Sequence, residues 1–370
     1  MATHGLFVSH RGFLANTPGG VQICTREFMD VIGAAGIALE LLPVDDDRRW
    51  TTRLMRRANS SPFFRPFAPD LVARIRDCCA QTRFDFIFLN QEVLSALARD
   101  IRPLLPGDCR IVVLSHGLEL TDLLHAIRVR DHMPLSQRIR PSPAIVLGHI
   151  LMSERRSRDH VDAVCAISPF DADLERWLGT RRVAWIPRTI TSAPISWQPV
   201  TGRLGFVGTL DHAPNLEGLV RVLEVLASGP KESPRVRVVG GPRETGIWLG
   251  QNFANVDFLG PLADPELEAE AATWTAFIHP IFCLPRGCST KLAAAIAWHI
   301  PIVTTPQGRR GYVWREGRLL EADGPQEFVR HCLSLEDHAC ARQAQRDVIR
   351  VAASSPSLAD AASMMRSLLD

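Results

Sequence analysis

Residues 277–311 read FIHPIFCLPRGCSTKLAAAIAWHIPIVTTPQGRRG. The apolar run Thr275–His279 has the length and composition of a buried strand. A loop bearing Pro285 and Gly287 follows. Thr290–Trp298 then has the small and apolar residues of a helix, with Ser289 or Thr290 at its start. Pro301–Thr304 is a second buried strand, and PQGRRG is the loop after it. Strand, loop, helix and strand in this order make a βαβ unit on a parallel sheet. The helix start offers unpaired N–H groups and a positive dipole end beyond the strand, an arrangement that suits a phosphate. Lys291 lies in that first turn, where a cation opposes the dipole. An anion held between the helix end and the ammonium accounts for it. The chain has 42 Lys and Arg residues, and only Lys231 and Lys291 are lysines. Lysine is the compact point charge used where the planar fork of arginine does not fit.

The same rhythm runs outward in both directions. Before this stretch, Leu204–Val207, Arg235–Val239 and Val256–Leu259 read as strands, alternating with helical runs at Leu216–Ala227 and Pro265–Ala272. The first half repeats the pattern, with strands at Gly5–Ser9, Phe84–Leu89, Arg110–Leu114, Asp162–Ile167 and Val183–Ile186. Helical runs there are Val21–Gly33 and Gln91–Ile101. Thr189–Thr201 lacks periodicity and contains Pro and Ser, so a domain boundary is expected there. Ser357–Leu369 reads as a final helix. The expected division is 1–190, 200–355 and a tail helix in 356–370. Two arginine-rich segments, Asp45–Arg83 and Arg128–Arg158, interrupt the rhythm. They read as solvated helical faces, or as surfaces meeting a phosphate-bearing or membrane-associated acceptor.

Two other places carry chemistry. In HRGFLANTPGGVQ, Gly19 and Gly20 precede a helix, so the backbone can approach an anion closely. The fingerprint GxGxxG is absent there, which disfavours a nicotinamide cofactor. In Val112–Glu119, VVLSHGLE, His116 follows a strand end, where open α/β sheets bind ligands. It is either a loop histidine or a hydrogen-bond partner for a sugar hydroxyl.

At 370 residues with 46% hydrophobic content, the chain can hold two domains with cores of their own. A net charge of +2 gives no push toward nucleic acid. Nine scattered cysteines, with no CxxC pair, indicate reduced thiols in the cytoplasm rather than a disulfide frame. Cys283 and Cys288 lack a second pair for a zinc site, and no Asp-x-Asp pair was evident at a strand end, so no metal is expected. MATHGLFVSHRGF is not a signal peptide, and no run approaches the roughly 20 apolar residues of a membrane span. The expectation is a cytoplasmic protein, either soluble or peripheral at the inner face of a membrane.

Together these stretches resemble the retaining GT-B glycosyltransferases, in the large family that contains sucrose synthases and bacterial mannosyltransferases. VDAVCAISPFDADLERW, from Val161, is similar to the family's D-x-V-x-x-x-S strand. IPRTI stands where a Pro-Asn-Gly turn is usual. GTLDHAPNLEGL, from Gly208, resembles the Gly-rich loop that opens the second domain. GCSTKLAAAIAWHIPIVTTPQGRRG resembles Gly-x-x-x-Lys, a helix, Gly-x-Pro-Val-Val-x-Thr and a glycine loop. The resemblance implies two Rossmann-like parallel-sheet domains facing a cleft. It also implies metal-independent transfer of a sugar, with retention, from a nucleotide-diphosphosugar donor. The acceptor would be lipid-linked or a polysaccharide. The catalytic candidates are His116, Arg286 and Lys291. The donor-binding candidates are Gly19, Gly20, Gly208, Thr209, Asn215, Ser289, Thr290 and Gln307. There are departures. The family's paired glutamates, eight residues apart, are replaced by Arg286 and Ala294. Ala294 cannot grip a ribose, which leaves Gln307 or a backbone group for that task. Thr209 and Asn215 stand where Arg and Lys often face the diphosphate. A GT-B protein that binds a ligand or partner without turnover is the alternative reading, and a sugar-nucleotide epimerase is a third.

Overall fold

The computed structural model describes residues 3–16, 19–47, 67, 70–128, 143–229 and 233–370. Most of Asp45–Arg83, the stretch 129–142 of the second arginine-rich segment, and Lys231 lie outside the described residues.

Two six-stranded sheets, parallel throughout, organise the chain. The first contains β1 (Thr3–His10), β2 (Ile37–Val44), β3 (Phe86–Asn90), β4 (Arg110–Leu114), β5 (Ala163–Ala166) and β6 (Val183–Trp185), in the order β2-β1-β3-β4-β5-β6. The second contains β7 (Arg203–Val207), β8 (Arg235–Val239), β9 (Val256–Gly260), β10 (Ala276–Ile278), β11 (Ile302–Thr304) and β12 (Leu320–Glu321), in the order β12-β11-β10-β7-β8-β9. Both are doubly wound Rossmann-like sheets with helices on their faces. Each has a point where strand order reverses, between β1 and β3 in the first and between β7 and β10 in the second. Ligands of open α/β sheets bind beyond the strand ends at such points.

The central strands form because they are apolar on both faces. Every residue of Phe86–Asn90 is buried, as expected where helices cover both sides of a parallel sheet. Two apolar clusters sandwich the first sheet, and a single large one fills the second domain. Residues 186–202 form no helix or strand. The tail helix Leu358–Leu369 starts at a capping box, in which Ser357 Oγ accepts from Asp360 N and the Asp360 carboxylate accepts from Ser357 N. Its Ala361, Met365, Leu368 and Leu369 lie in the core of the first sheet rather than the second.

Three sequence expectations differ from the structure. Gln91–Ile101 is not one helix. It is a 3-10 run, Glu92–Leu97, followed by a single α-turn, Ala98–Ile101. Strands β2 and β12 were not expected. Strand β2 is an edge strand in which Glu40 and Pro43 interrupt the apolar run, and five of its eight residues are not buried. Because β2 exists, Asp45, Asp46 and Asp47 do follow a strand end. Asp45 pairs with Arg11 at 2.8 Å and Asp46 with His10 at 3.2 Å. Among the described residues no group of three His, Cys, Asp or Glu is placed to hold a metal ion.

Candidate active site

The two strand-order reversals face each other, and the chain brings two helix starts together between them. Helix Gly20–Ala34 begins after β1, and helix Thr290–Ala297 begins after β10. Neither start has a side-chain cap, so their first N–H groups stay open. They lie close to each other: a Cβ added at Gly20 would sit 3.4 Å from Thr290 Oγ1. Ser289 holds the second start through its carbonyl, which accepts from Tyr312 Oη at 2.6 Å.

Lys291 lies in that turn. Burial brings its ammonium down to about 8, and Asp211 only partly offsets this. It forms no hydrogen bond or ion pair with the described residues. His279, at the end of β10, is its neighbour. Burial, with Lys291 and Arg310 behind it, lowers the His279 imidazole to about 3. Its Nδ1 meets Thr304 Oγ1 at 3.1 Å, and its buried Nε2 has no partner. Gln307, in the loop after β11, likewise has a buried Oε1 without a donor. Arg310 fixes that loop by donating to Gln307 O at 2.8 Å and to Arg286 O at 2.9 Å. Buried polar atoms are nearly always paired, and His279 Nε2 and Gln307 Oε1 are exceptions.

The loop after β7 is more self-contained. Gly208 donates its N–H to Val239 O, and Asn215 Nδ2 donates to Thr209 O at 2.9 Å. Asn215 therefore braces the loop, while Thr209 is exposed.

His116 forms part of the first domain's wall. Asn90 Nδ2 donates to Ser9 Oγ and Thr25 Oγ1, which leaves Asn90 Oδ1 to accept from His116 Nε2 at 2.8 Å. The imidazole therefore carries its proton on Nε2. Its buried Nδ1 is a free acceptor. Burial, then Arg286 and Arg188, lower its pKa to about 3, so it stays neutral. Gln91 follows with φ 89°, a strained value for a residue with a side chain. The next residue, Glu92, is buried and pushed up to about 8 by desolvation, with Ser115 and Arg286 opposing. Its Oε1 accepts from Gly117 N at 3.1 Å.

Here the domains touch backbone to backbone. Gly117 has φ 96°, and a Cβ there would lie 2.0 Å from Gly287 N. Next to that contact, Arg286 is not a free cation. Its backbone N–H donates to Asp122 Oδ1 at 2.9 Å, and its guanidinium meets Asp122 at 3.3 Å and Glu119 at 3.4 Å. His212 adds a contact to Asp122 at 3.1 Å. Burial works to raise the Asp122 carboxyl, but His212 and Arg286 together hold it at about 2.

Residues 201–338 match the family described as Glycosyl transferases group 1. That stretch resembles the group 1 glycosyltransferases. Among solved structures, the sucrose-phosphate synthase of Thermosynechococcus elongatus aligns over 98% of this chain and 97% of its own, at 16% identity and a TM-score of 0.64. The HepE protein of Anabaena, solved in complex with UDP and glucose, aligns over 98% of each chain at 15% identity and a TM-score of 0.63. The lipopolysaccharide outer core galactosyltransferase WaaB, in its apo form, aligns over 94% and 95%, at 14% identity and a TM-score of 0.58. These likenesses establish the GT-B fold. No curated protein matches the sequence.

The second domain thus contributes Ser289, Thr290, Lys291, Gln307, Gly208, Thr209 and Asn215, and the first domain contributes Gly19, Gly20 and His116. The structure brings Gly20 to Thr290, and it sets Arg286 among first-domain carboxylates rather than beside Lys291. Sequence reading did not single out Asn90, Glu92, Asp122 or His279. Asn90 and His279 end or follow strands just as His116 does, and that position was the available signal. Asp122 carries no such signal, because its role comes from a contact between domains. No helix among the described residues is long and apolar enough to cross a membrane.

Proposed function

We propose that the protein transfers a sugar from a nucleotide-diphosphosugar to a hydroxyl of a lipid-linked or polysaccharide acceptor, with retention and without a metal. The observation that carries this reading is Lys291. A half-buried ammonium with no hydrogen bond or ion pair among the described residues, and only the longer-range charge of Asp211 to offset its burial, lies at an uncapped helix start opposite a second uncapped start and suits a diphosphate. In this reaction the bond from the anomeric carbon to the diphosphate oxygen breaks. The acceptor oxygen bonds the same carbon from the same face, and its proton passes to the departing phosphate. Negative charge grows on the diphosphate, and preorganised donors aimed at that charge are usually the largest catalytic contribution. Lys291 and the N–H groups at Ser289–Thr290 and Gly20 fill that role. His116 accepts a hydrogen bond from a sugar hydroxyl through Nδ1. Arg286 acts by joining the domains over the site. In this reading residues 1–190 receive the acceptor, residues 200–355 hold the donor, and the tail helix in 356–370 ties the two together. The protein works in the cytoplasm, at the inner membrane face where its arginine-rich segments meet the acceptor.

A second reading, binding without turnover, is favoured by one observation: Arg286 and Ala294 stand where the family has glutamates, and Arg286 is tied up in ion pairs. A thermal-shift screen against nucleotide sugars, followed by a nucleoside-diphosphate release assay, separates the two. Release that requires an acceptor supports transfer. Stabilisation by nucleotides without release under any acceptor supports the second reading, and no stabilisation at all removes the donor site.

A further inference from the structure

A second concave site lies away from the helix starts, behind the crossing between the domains. It is a groove of about 460 Å³ running from Trp185, the last residue of β6, past Trp314 in the second domain, to Asp360, Ser363 and Met364 on the tail helix. Its size falls within the roughly 300–1,000 Å³ of small-molecule sites. Four groups of its lining set what it can hold. Trp185 lines it with a half-buried ring, whose Nε1 is turned away from solvent. Trp314 has the guanidinium of Arg309 over its ring at 5.2 Å, which holds the indole in place beside the groove. At the rim, the exposed Arg315 makes no side-chain hydrogen bond among the described residues, and its charge acts on Asp360. Asp360 uses Oδ2 on the helix cap and leaves Oδ1 without a hydrogen bond.

We infer that this groove binds a saccharide chain, one or two sugar rings deep. Flat indoles pack against the C–H faces of pyranose rings. The Ser363 hydroxyl, the Asp360 carboxylate and the Arg315 guanidinium give hydroxyl groups both donors and acceptors. A lipid chain would leave these polar groups unpaired. The choice of ligand rests on the sugar-transfer reading, with the groove holding a distal part of the acceptor or product chain while its end is in the cleft.

The test uses the full chain and a printed array of defined oligosaccharides. The wild type retains glycans. Ser363→Trp, an exposed position that fills the groove, lowers retention at least tenfold. Trp314→Ala removes a ring that packs against the sugar and lowers retention several-fold. UDP and GDP stabilise Ser363→Trp as much as wild type, which shows an intact donor site. Absence of glycan retention by the wild type overturns the inference. So does retention that survives both substitutions, since the glycan then sits in the cleft. A monomer–dimer equilibrium abolished by Ser363→Trp, with no glycan bound, assigns the groove to a second copy and also overturns it. Glycans held at the groove with no sugar transfer leave the inference standing and sink the transferase reading instead.

Discussion

Arg286 binds Asp122 twice across the cleft, through its backbone N–H at 2.9 Å and through Nε at 3.3 Å. The side chains are 27% and 9% exposed, so the pair is largely out of water. Removing Asp122 leaves the Arg286 guanidinium with Glu119 alone, at 3.4 Å, and its backbone N–H without an acceptor. Asp122→Ala should cost about 3 kcal/mol, the lower end for such a loss, and should expand the free protein in small-angle scattering. Asp122→Asn, which still offers an acceptor to the backbone N–H, should lose less. The acid side follows from the depressed Asp122 pKa. Its stabilisation is present above the ordinary value of 3.8 and is lost as pH falls toward about 2. Denaturation midpoints for Asp122→Ala equal to wild type at pH 6 would show that the domains do not depend on this pair.

Lys291 should set both the strength and the pH dependence of nucleotide binding. Losing a charge-assisted contact to a buried anion costs about 1.5–3 kcal/mol, so Lys291→Ala should weaken nucleoside-diphosphate affinity about tenfold or more. In the free protein its proton leaves as pH rises through about 8. An anion favours the protonated form, so affinity should be level below that pH and fall above it. Titration calorimetry from pH 7 to 10 measures this. A wild-type profile that matches Lys291→Ala across the range removes Lys291 from the site.

His116 predicts a split between turnover and affinity. Its free Nδ1 faces a sugar hydroxyl in the proposed reading, not the diphosphate. His116→Ala should lower kcat by an order of magnitude or more while nucleoside-diphosphate affinity changes less than twofold. Because the imidazole is held neutral down to about 3, its role should show no titration between pH 5 and 8. Full transferase activity in the variant would leave His116 as a bracing residue for Asn90.

The apolar central strands were legible because burial on both faces leaves a continuous run, as in Phe86–Asn90 and Arg110–Leu114. The uncapped start at Ser289–Thr290 was legible from glycine, hydroxyl and lysine in order. Strand β2 was hidden because an edge strand needs less apolar surface, and Glu40 sits within it. The partners of Arg286 were hidden for another reason. Asp122 and Glu119 lie 164 and 167 positions away from it, and only the packing of one domain on the other joins them. Reading Arg286 as a spare cation was reasonable from its neighbours in the chain, but its neighbours in space neutralise it.

Ribose recognition gives the last test. Ala294 stands where the family's ribose-gripping glutamate stands, and here it packs half-buried against the second domain's core. The helix has no polar replacement, since Ala293 and Ala295 flank it. Gln307 Oε1 is buried without a donor, and an acceptor in that state is what a ribose hydroxyl would satisfy. The expected outcome is a preference for the ribonucleotide over its 2′-deoxy form, of several-fold to about tenfold for one neutral hydrogen bond. Gln307→Ala should abolish that preference while keeping most of the affinity that Lys291 supplies. Gln307→Glu should restore it, because a carboxylate accepts at the same place. Equal affinity for both nucleotides in the wild type, with a gain for the ribose form in Ala294→Glu, would show instead that the clamp is vacant. In that case the unpaired Gln307 oxygen would need another partner, and the sugar itself, lying between the ribose and His116, would be the group to examine.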